Sequence, residues 1–198
     1  MDHNEREHAQ QQQFQIYDEI GVKKMAFLQK VYITFLLSLV AAGIGAMIGL
    51  RPTFLKFVAS HPIIFFIITI VALIAAYSLR KEPGINLIAL FAFTFLSGMS
   101  LSPLIAAYLA AGMAMLIKEA LLLTIITFGG LSAYVFITKK DFSFLGGFLF
   151  MGLFALIGFG LVFMFFGGSN AAYTLYSTCG ALLFCGFILY DTSKLLRE

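Results

Sequence analysis

Six apolar runs, each about as long as a membrane-spanning helix, constrain this chain of 198 residues more than any other feature. A helix needs about 20 consecutive apolar residues to cross the hydrocarbon core of a bilayer. Hydrophobic residues make up 61% of the chain and charged residues only 12%, which excludes an ordinary soluble domain. The sequence therefore predicts an all-α integral membrane bundle with a polar segment, residues 1–24, and six spans: residues 25–50, 62–80, 85–110, 119–138, 142–166 and 171–193.

The distribution of cationic residues predicts the orientation of this bundle. Cytoplasmic loops carry an excess of Lys and Arg. With the N-terminus inside, three cations fall outside (Arg51, Lys56 and Lys118), and ten fall inside: Arg6, Lys23, Lys24, Lys30, Arg80, Lys81, Lys139, Lys140, Lys194 and Arg197. We therefore expect a cytoplasmic tail at residues 1–24. The net charge of +3 then resides in loops that orient the spans, and a nucleic-acid partner is not expected.

One acid, Asp191, stands apart from the others because it lies inside the last predicted span. Ionisable groups within a span commonly mark proton or ion pathways. If apolar neighbours dominate, Asp191 becomes a proton-titrated gate near physiological pH. If Arg80, which the orientation places at the same membrane face, pairs with it, the two form a latch that protonation or a cation opens. A local ion pair with Lys194, three residues further on, is the plain structural alternative.

The third span has a second unusual feature, small polar residues ahead of a proline. Ser97, Met99, Ser100, Ser102 and Pro103 form this segment. Pro103 has no N–H to donate to the carbonyl of Met99, so a kink with a free acceptor is predicted near the middle of the membrane. Such a kink could line a water-filled path. Alternatively, the hydroxyl of Ser100 or Ser102 could hydrogen-bond the carbonyl, and the kink would then be only a bend in the helix.

Catalytic and metal chemistry find little support in these residues. A di-aspartyl protease needs a second buried Asp, and a serine protease needs a base near the serines, where His61 of another span is the one candidate. Asp191 is the one candidate calcium ligand, and a single acid binds Ca²⁺ poorly because the ion takes six or more oxygens. The sequence predicts neither an enzyme nor a bound cofactor.

Four stretches resemble the Bax inhibitor family, most closely its bacterial YccA branch. They are AYVFITKKDFSFLGGFL at 133–149, GMSLSPL at 98–104, FAFTF at 91–95 and FILYDTSKL at 187–195. The resemblance implies a seven-helix membrane bundle with a cytoplasmic N-terminus. Six spans are predicted in the present residues, and the acid of the family's last helix is not among them, so a two-acid calcium site is not predicted.

The resemblance also implies two functions. Some members are calcium- or proton-sensitive cation leaks gated by an acid of the sixth helix, an acid of the last helix and an arginine of the second. Asp191 matches the first acid and Arg80 the arginine. The leading hypothesis is therefore a pH-sensitive cation leak of the bacterial inner membrane, with Ca²⁺ as the transported ion. The alternative is a binding partner that modulates the membrane AAA protease FtsH through its N-terminal tail, without transport.

Overall fold

A computed structural model describes residues 3–82 and 84–197 of the chain. Within these ranges the regular structure is helical and no strand is found. Two short 3₁₀ turns, Leu79–Lys81 and Ser143–Leu145, follow α3 and precede α7. The helices are α1 (His3–Gly49), α2 (Pro52–Ser60), α3 (Pro62–Ser78), α4 (Ile85–Ser100), α5 (Ser102–Ala110), α6 (Ala114–Thr138), α7 (Gly146–Phe166) and α8 (Asn170–Arg197).

Six of the described helical segments are long and apolar enough to cross a membrane, which confirms the predicted all-α bundle of six spans. Both α4 and α5 belong to a single span that is broken at Leu101. Exposed large apolar side chains cover most of the surface, as expected where lipid is the solvent. The segments are Met25–Gly49, Pro62–Lys81, Ile85–Ala110, Ala114–Thr138, Ser143–Phe166 and Asn170–Arg197.

Two helical features were not predicted from the sequence. The nine-residue helix α2 fills the connection between the first two spans, where Pro52 suits the first helical turn. The helical backbone of α1 begins at His3, so the predicted tail continues without a break into the first span. Apart from Val22, the side chains of residues 1–24 lie outside the described residues.

Tertiary contacts divide the chain into two compact units, residues 1–117 and residues 118–198. In the first unit α1 lies against α4, and α3 also packs on α4. The buried core of this unit is formed by Val58 of α2, Phe65 of α3 and Met99 of α4. Three helices thus meet at the C-terminal half of α4, just before the break in the span.

The packing of α1 on α4 depends on two glycines that bring the backbones close together. A Cβ atom on Gly45 of α1 would collide with the backbone carbonyl of Phe95, and one on Gly98 of α4 would collide with that of Ala42. Small residues at helix interfaces allow this approach in membranes, where association depends on close packing. Gly45 and Gly98 are therefore packing positions between α1 and α4.

In the second unit α7 and α8 form a hairpin. The turn between them passes through Gly167, whose φ of 70° lies in the left-handed region that glycine tolerates best. Gly186 of α8 accommodates the side chain of Leu149. Near the turn, the Tyr176 hydroxyl donates to the carbonyl of Leu156 over 3.2 Å, and its ring meets Phe163 edge to face with centroids 5.5 Å apart. These contacts fix the register of the hairpin.

The glycine contact gives a direct test of the packing in the first unit. We expect Gly98→Ala to destabilise the protein by about 1–3 kcal/mol, the usual cost of overpacking, because a backbone carbonyl cannot move aside as a side chain can. Thermal unfolding of the purified protein in detergent measures the effect. Gly43→Ala is the matched control, since a Cβ there meets no atom within 4 Å. Equal stability of the two variants would contradict the packing argument.

Candidate functional site

The break in the third span lies at Leu101, between Ser100 and Ser102. Pro103 occupies the first turn of α5, where its missing N–H removes one helical hydrogen bond. The Ser102 hydroxyl donates to the carbonyl of Met99 over 2.7 Å, and Ser102 is fully buried. Pro103 has no N–H to donate to the Met99 carbonyl, and the Ser102 hydroxyl donates to it instead. A kink whose carbonyl is hydrogen-bonded by a serine was one of the two outcomes that the sequence left open.

A cavity of about 540 Å³ lies beside this break, within the first unit. Its walls come from α2, α3, α4 and α5, and most of them are apolar, including Val58, Phe65 and Pro103. Three hydroxyl side chains, those of Thr69, Ser97 and Ser100, also line it. With a rise of 1.5 Å per residue, Thr69 lies about 10 Å along α3 from Pro62, inside the apolar part of the span.

The hydroxyls of the cavity come from two neighbouring helices. Thr69 Oγ1 of α3 and Ser100 Oγ of α4 are 3.2 Å apart. Thr69 donates to the carbonyl of Phe65 over 2.9 Å, Ser100 to that of Leu96 over 2.9 Å, and Ser97 to that of Phe93 over 2.8 Å. We refer to Thr69, Ser97 and Ser100 as the hydroxyl cluster.

The predicted path-lining residues thus divide into two groups. Ser97, Ser100 and Pro103 line the cavity. Met99 is 7% exposed and belongs to the core with Val58, whereas Ser102 repairs the backbone at the break. Three of the five therefore border the cavity, and a path through it stays a prediction.

Arg80 lies in the 3₁₀ turn at the end of α3, in the first unit. Its guanidinium stacks on the ring of Tyr77, with Cζ 4.3 Å from the ring centroid, and the side chain is exposed. Thr69 precedes it by eleven residues, or about 16 Å of helix. Arg80 is thus at the opposite end of α3 from the cavity, and a cation–π contact of this kind contributes roughly 0.5–1 kcal/mol at an exposed site.

Asp191 lies near the end of α8, in the second unit. Its side chain is exposed at the protein surface, whereas the neighbouring Thr192 and Ser193 are buried. The charge of Lys194, one helical turn further on, acts on it. The predicted ion pair with Arg80 stays a prediction.

A second acid of this unit, Asp141, ties the α6–α7 loop to the end of α8. Its carboxylate contacts Arg197 of α8 at 3.0 Å and accepts hydrogen bonds from the backbone N–H and the hydroxyl of Ser143. The buried hydroxyl of Ser193 accepts from the N–H of Phe142 over 3.0 Å. We call Asp141, Ser193 and Arg197 the loop clamp.

The hydrogen bonds to Asp141 determine its charge state. The Ser143 hydroxyl and N–H, with the Arg197 guanidinium adding to them, hold the pKa of the Asp141 carboxyl below its ordinary value. Asp141 is therefore ionised throughout the physiological range, and it is unsuited to sensing pH near neutrality.

Metal ligands are sparse in the described part of the chain. Among residues 3–82 and 84–197, no group of three or more His, Cys, Asp or Glu side chains could hold a metal ion. A metal-binding role for Asp191 stays a prediction. His61, at the start of α3, is exposed, and its Nδ1 lies 3.3 Å from the carbonyl of Phe57.

Most of this chain is similar to known proteins. A family model described as "Inhibitor of apoptosis-promoting Bax1" matches residues 24–198. The chain belongs to the Bax inhibitor family. Its relatives include Bax inhibitor 1 of Schizosaccharomyces pombe, 35% identical over 88% of this chain and 66% of the yeast protein.

Other relatives of this family member come from bacteria and from a virus. A membrane protein of Vibrio cholerae is 37% identical over 86% of this chain and 75% of its own length. The Golgi anti-apoptotic protein of vaccinia virus is 32% identical over 88% of this chain and 73% of its own length. Family membership and a multi-pass membrane character are therefore established, and the anti-apoptotic name belongs to the viral relative.

Sequence reasoning missed Thr69 and the loop clamp. Thr69 is the single hydroxyl residue between Pro62 and Tyr77 in an otherwise apolar helix, which was a usable signal. The sequence also contained a signal for part of the loop clamp. Asp141 is followed two residues later by Ser143, a spacing that is typical of an Asx turn. The pairing of Asp141 with Arg197 depends on how the hairpin folds, and no local pattern shows it.

The repair of the broken span predicts a coupling between Ser102 and Pro103. We expect Ser102→Ala to lower the free energy of unfolding by about 1–3 kcal/mol, because the buried Met99 carbonyl loses this donor. In a Pro103→Ala background the loss should be smaller, since the restored N–H can donate to the same carbonyl. Thermal unfolding of the four proteins of this cycle measures the coupling. Additive losses would show that Ser102 does not perform this repair.

The loop clamp predicts a pH dependence outside the neutral range. A carboxyl whose pKa is lower in the folded state stabilises the fold fully above its unfolded pKa of about 3.9, and this contribution is lost as the pH falls through the folded value. We expect Asp141→Asn to lower the melting temperature slightly and by the same amount from about pH 8 to pH 5. The difference from the parent protein should close only below about pH 4. A difference that vanishes between neutrality and about pH 6 would contradict the assignment.

Proposed function

We propose that this Bax inhibitor family member is a cation leak of the bacterial inner membrane, with its N-terminus in the cytoplasm. The observation that supports this function best is the cavity of about 540 Å³ beside the broken third span, with its hydroxyl cluster. Hydroxyl side chains on the wall of a cavity can hydrogen-bond water or the water shell of an ion. A purely structural kink would need only the bond between Ser102 and Met99.

Asp191 and Arg80 have the role of the gate in this proposal. Each lies at the end of its span and is exposed, so each is accessible to protons and counter-ions. Arg80 is about 16 Å along α3 from Thr69. Arg80 and the cavity are therefore at different positions along α3, and in this proposal protonation of Asp191 controls access to the path rather than binding within the cavity.

Calcium is the transported ion in this proposal, and it would pass through the cavity with its water shell. Ca²⁺ prefers six or more oxygen ligands, several of them charged. The cavity lining in the first unit offers neutral hydroxyls. Such a surface can hydrogen-bond the water shell of an ion and does not replace that shell.

A second candidate function, modulation of the membrane protease FtsH without transport, is favoured by a separate observation. The backbone of α1 extends from the first span as one helix back to His3. Residues 3–24 would then project about 33 Å beyond Met25, at 1.5 Å per residue. A rigid extension of this length could reach a protease domain outside the bilayer.

Flux measurements on the purified protein in liposomes test the leak and its gate. With a calcium dye inside, we expect calcium entry that changes several-fold between pH 8 and pH 6. Asp191→Asn should hold the flux at one level across this range, because the amide cannot exchange a proton. Glu119→Gln is the matched control, since it also neutralises an exposed acid near a helix end of the second unit.

Three outcomes are distinguishable in this assay. A pH-dependent flux that Asp191→Asn leaves unchanged would refute the gate and retain the leak. Equal entry into protein-containing and empty liposomes would refute the leak itself. In the latter case, a change in FtsH activity that disappears when residues 2–20 are deleted would favour the second candidate function.

A further inference from the structure

The polar side chains of the cavity beside the broken span lie together at one of its ends. Thr69 follows Phe66 by three residues in α3, and Ser100 precedes Leu104 by four residues in the next span. Successive spans run in opposite directions across a bilayer, so both steps lead from the apolar walls toward the turn between α3 and α4. The hydroxyl cluster therefore lies at the end nearer this turn, and apolar walls such as Val58 lie at the end nearer α2.

One wall of the cavity reaches the lipid-facing surface of the first unit. Phe66 is 65% exposed and Leu104 is 56% exposed, whereas Val58 and Phe65 on the opposite wall are buried. The solvent at an exposed apolar surface of a membrane-spanning helix is lipid. A molecule dissolved in the bilayer can therefore enter the cavity from the side, past Phe66 and Leu104.

The polar end of the cavity suits a group that both donates and accepts hydrogen bonds. The hydroxyls of Thr69 and Ser100 are hydrogen-bonded to each other over 3.2 Å, and either one can be the donor. A hydroxyl has one proton and two lone pairs, so the pair retains capacity for a further bond. The residues that line the cavity are uncharged, and a charged ligand would find no counter-charge among them.

We propose that this cavity binds a neutral, membrane-soluble alcohol, with its hydroxyl against Thr69 and Ser100 and its hydrocarbon body along Phe65 and Leu104. Small-molecule pockets typically enclose roughly 300–1,000 Å³ and have mostly apolar walls with a few placed polar groups. The cavity, at about 540 Å³, has this size and this lining. The inference does not rest on the proposed leak, because it concerns binding from the lipid and not passage across the membrane.

The hydroxyl pair determines which molecules the cavity prefers. Acyl chains of the bilayer make the same apolar contacts, so the apolar walls alone give no preference over surrounding lipid. The bilayer core offers an alcohol no water to hydrogen-bond, and the Thr69–Ser100 pair supplies a partner there. Since Thr69 lies about 10 Å along α3 from Pro62, medium-chain alcohols such as octanol match the length of the cavity.

Photolabelling of the full chain in liposomes tests this site. The probe is octanol with a diazirine on its hydrocarbon chain, and mass spectrometry of peptides locates the label. We expect labels on α3 and α5, at and around Phe66 and Leu104. Excess unmodified octanol should suppress them several-fold more than octane at the same concentration in the membrane.

Substitutions at the polar end separate hydrogen bonding from shape. The nearly isosteric Thr69→Val should lower the octanol-suppressible labelling several-fold, whereas Thr69→Ser keeps the hydroxyl and should keep the labelling. Thr124→Val removes a hydroxyl that bonds its own helix in α6, outside the cavity, and should have no effect. If Thr69→Val fails to fold, the comparison of octanol with octane on the parent protein decides.

Three results would overturn the proposal. Equal suppression by octane and octanol would show a hollow that any hydrocarbon fills. Labels spread evenly over the exposed apolar residues of all spans would show a probe dissolved in the bilayer only. Equal labelling of Thr69→Val and the parent would remove the role of the hydroxyl pair. None of these results depends on ion flux, so the alcohol site and the proposed leak fail separately.

Discussion

The close approach of α1 to α4 is the contact on which the first unit depends. Gly45 and Gly98 have no side chain, and each therefore lies directly against a backbone carbonyl of the other helix. Helices in lipid gain little from apolar burial against one another, so contact between backbones replaces it as the source of stability. This contact fixes the position and rotation of α4 relative to α1. It therefore also fixes the direction of the polar side chains of α4.

The same contact explains where the span can break. Ser102 follows the break immediately, and its Oγ would lie 2.5 Å from a Cβ on Gly49 of α1. Glycine at that position leaves room for Ser102 to turn inward and bond the Met99 carbonyl. The break is thus supported on one side by α1, while its other side, with Ser100 and Pro103, borders the cavity. Packing against α1 and the wall of the cavity thus involve different residues of one irregular span.

Hydropathy was sufficient to predict the spans because lipid imposes a simple rule on every residue that faces it. Proline was also informative, since the kink predicted at Pro103 coincides with the break between α4 and α5. What hydropathy could not supply is which side of a span faces which neighbour. That is why Ser102, grouped with Ser100 in the sequence, has a different role from it.

The exposed position of Asp191 illustrates the same limit. A lone acid in an apolar run suggested a group shielded by helices, because charge inside a bundle is costly. The structure places its side chain at the surface of α8 and buries the hydroxyl residues next to it. Helical rotation decides this difference. In α8 the rotation follows from the loop clamp, where Ser193 must face the loop to accept from Phe142.

For the proposed leak, neutral hydroxyls suit the cavity better than a carboxylate would. A carboxylate at the depth of Thr69 would bind a cation strongly, but it would cost several kcal/mol to bury when no ion is present. Hydroxyls carry no such cost, because they are neutral and can bond their own helices when no ion is present. Conduction requires binding that is favourable enough for entry and weak enough for exit. Neutral hydroxyls in the cavity would meet both conditions.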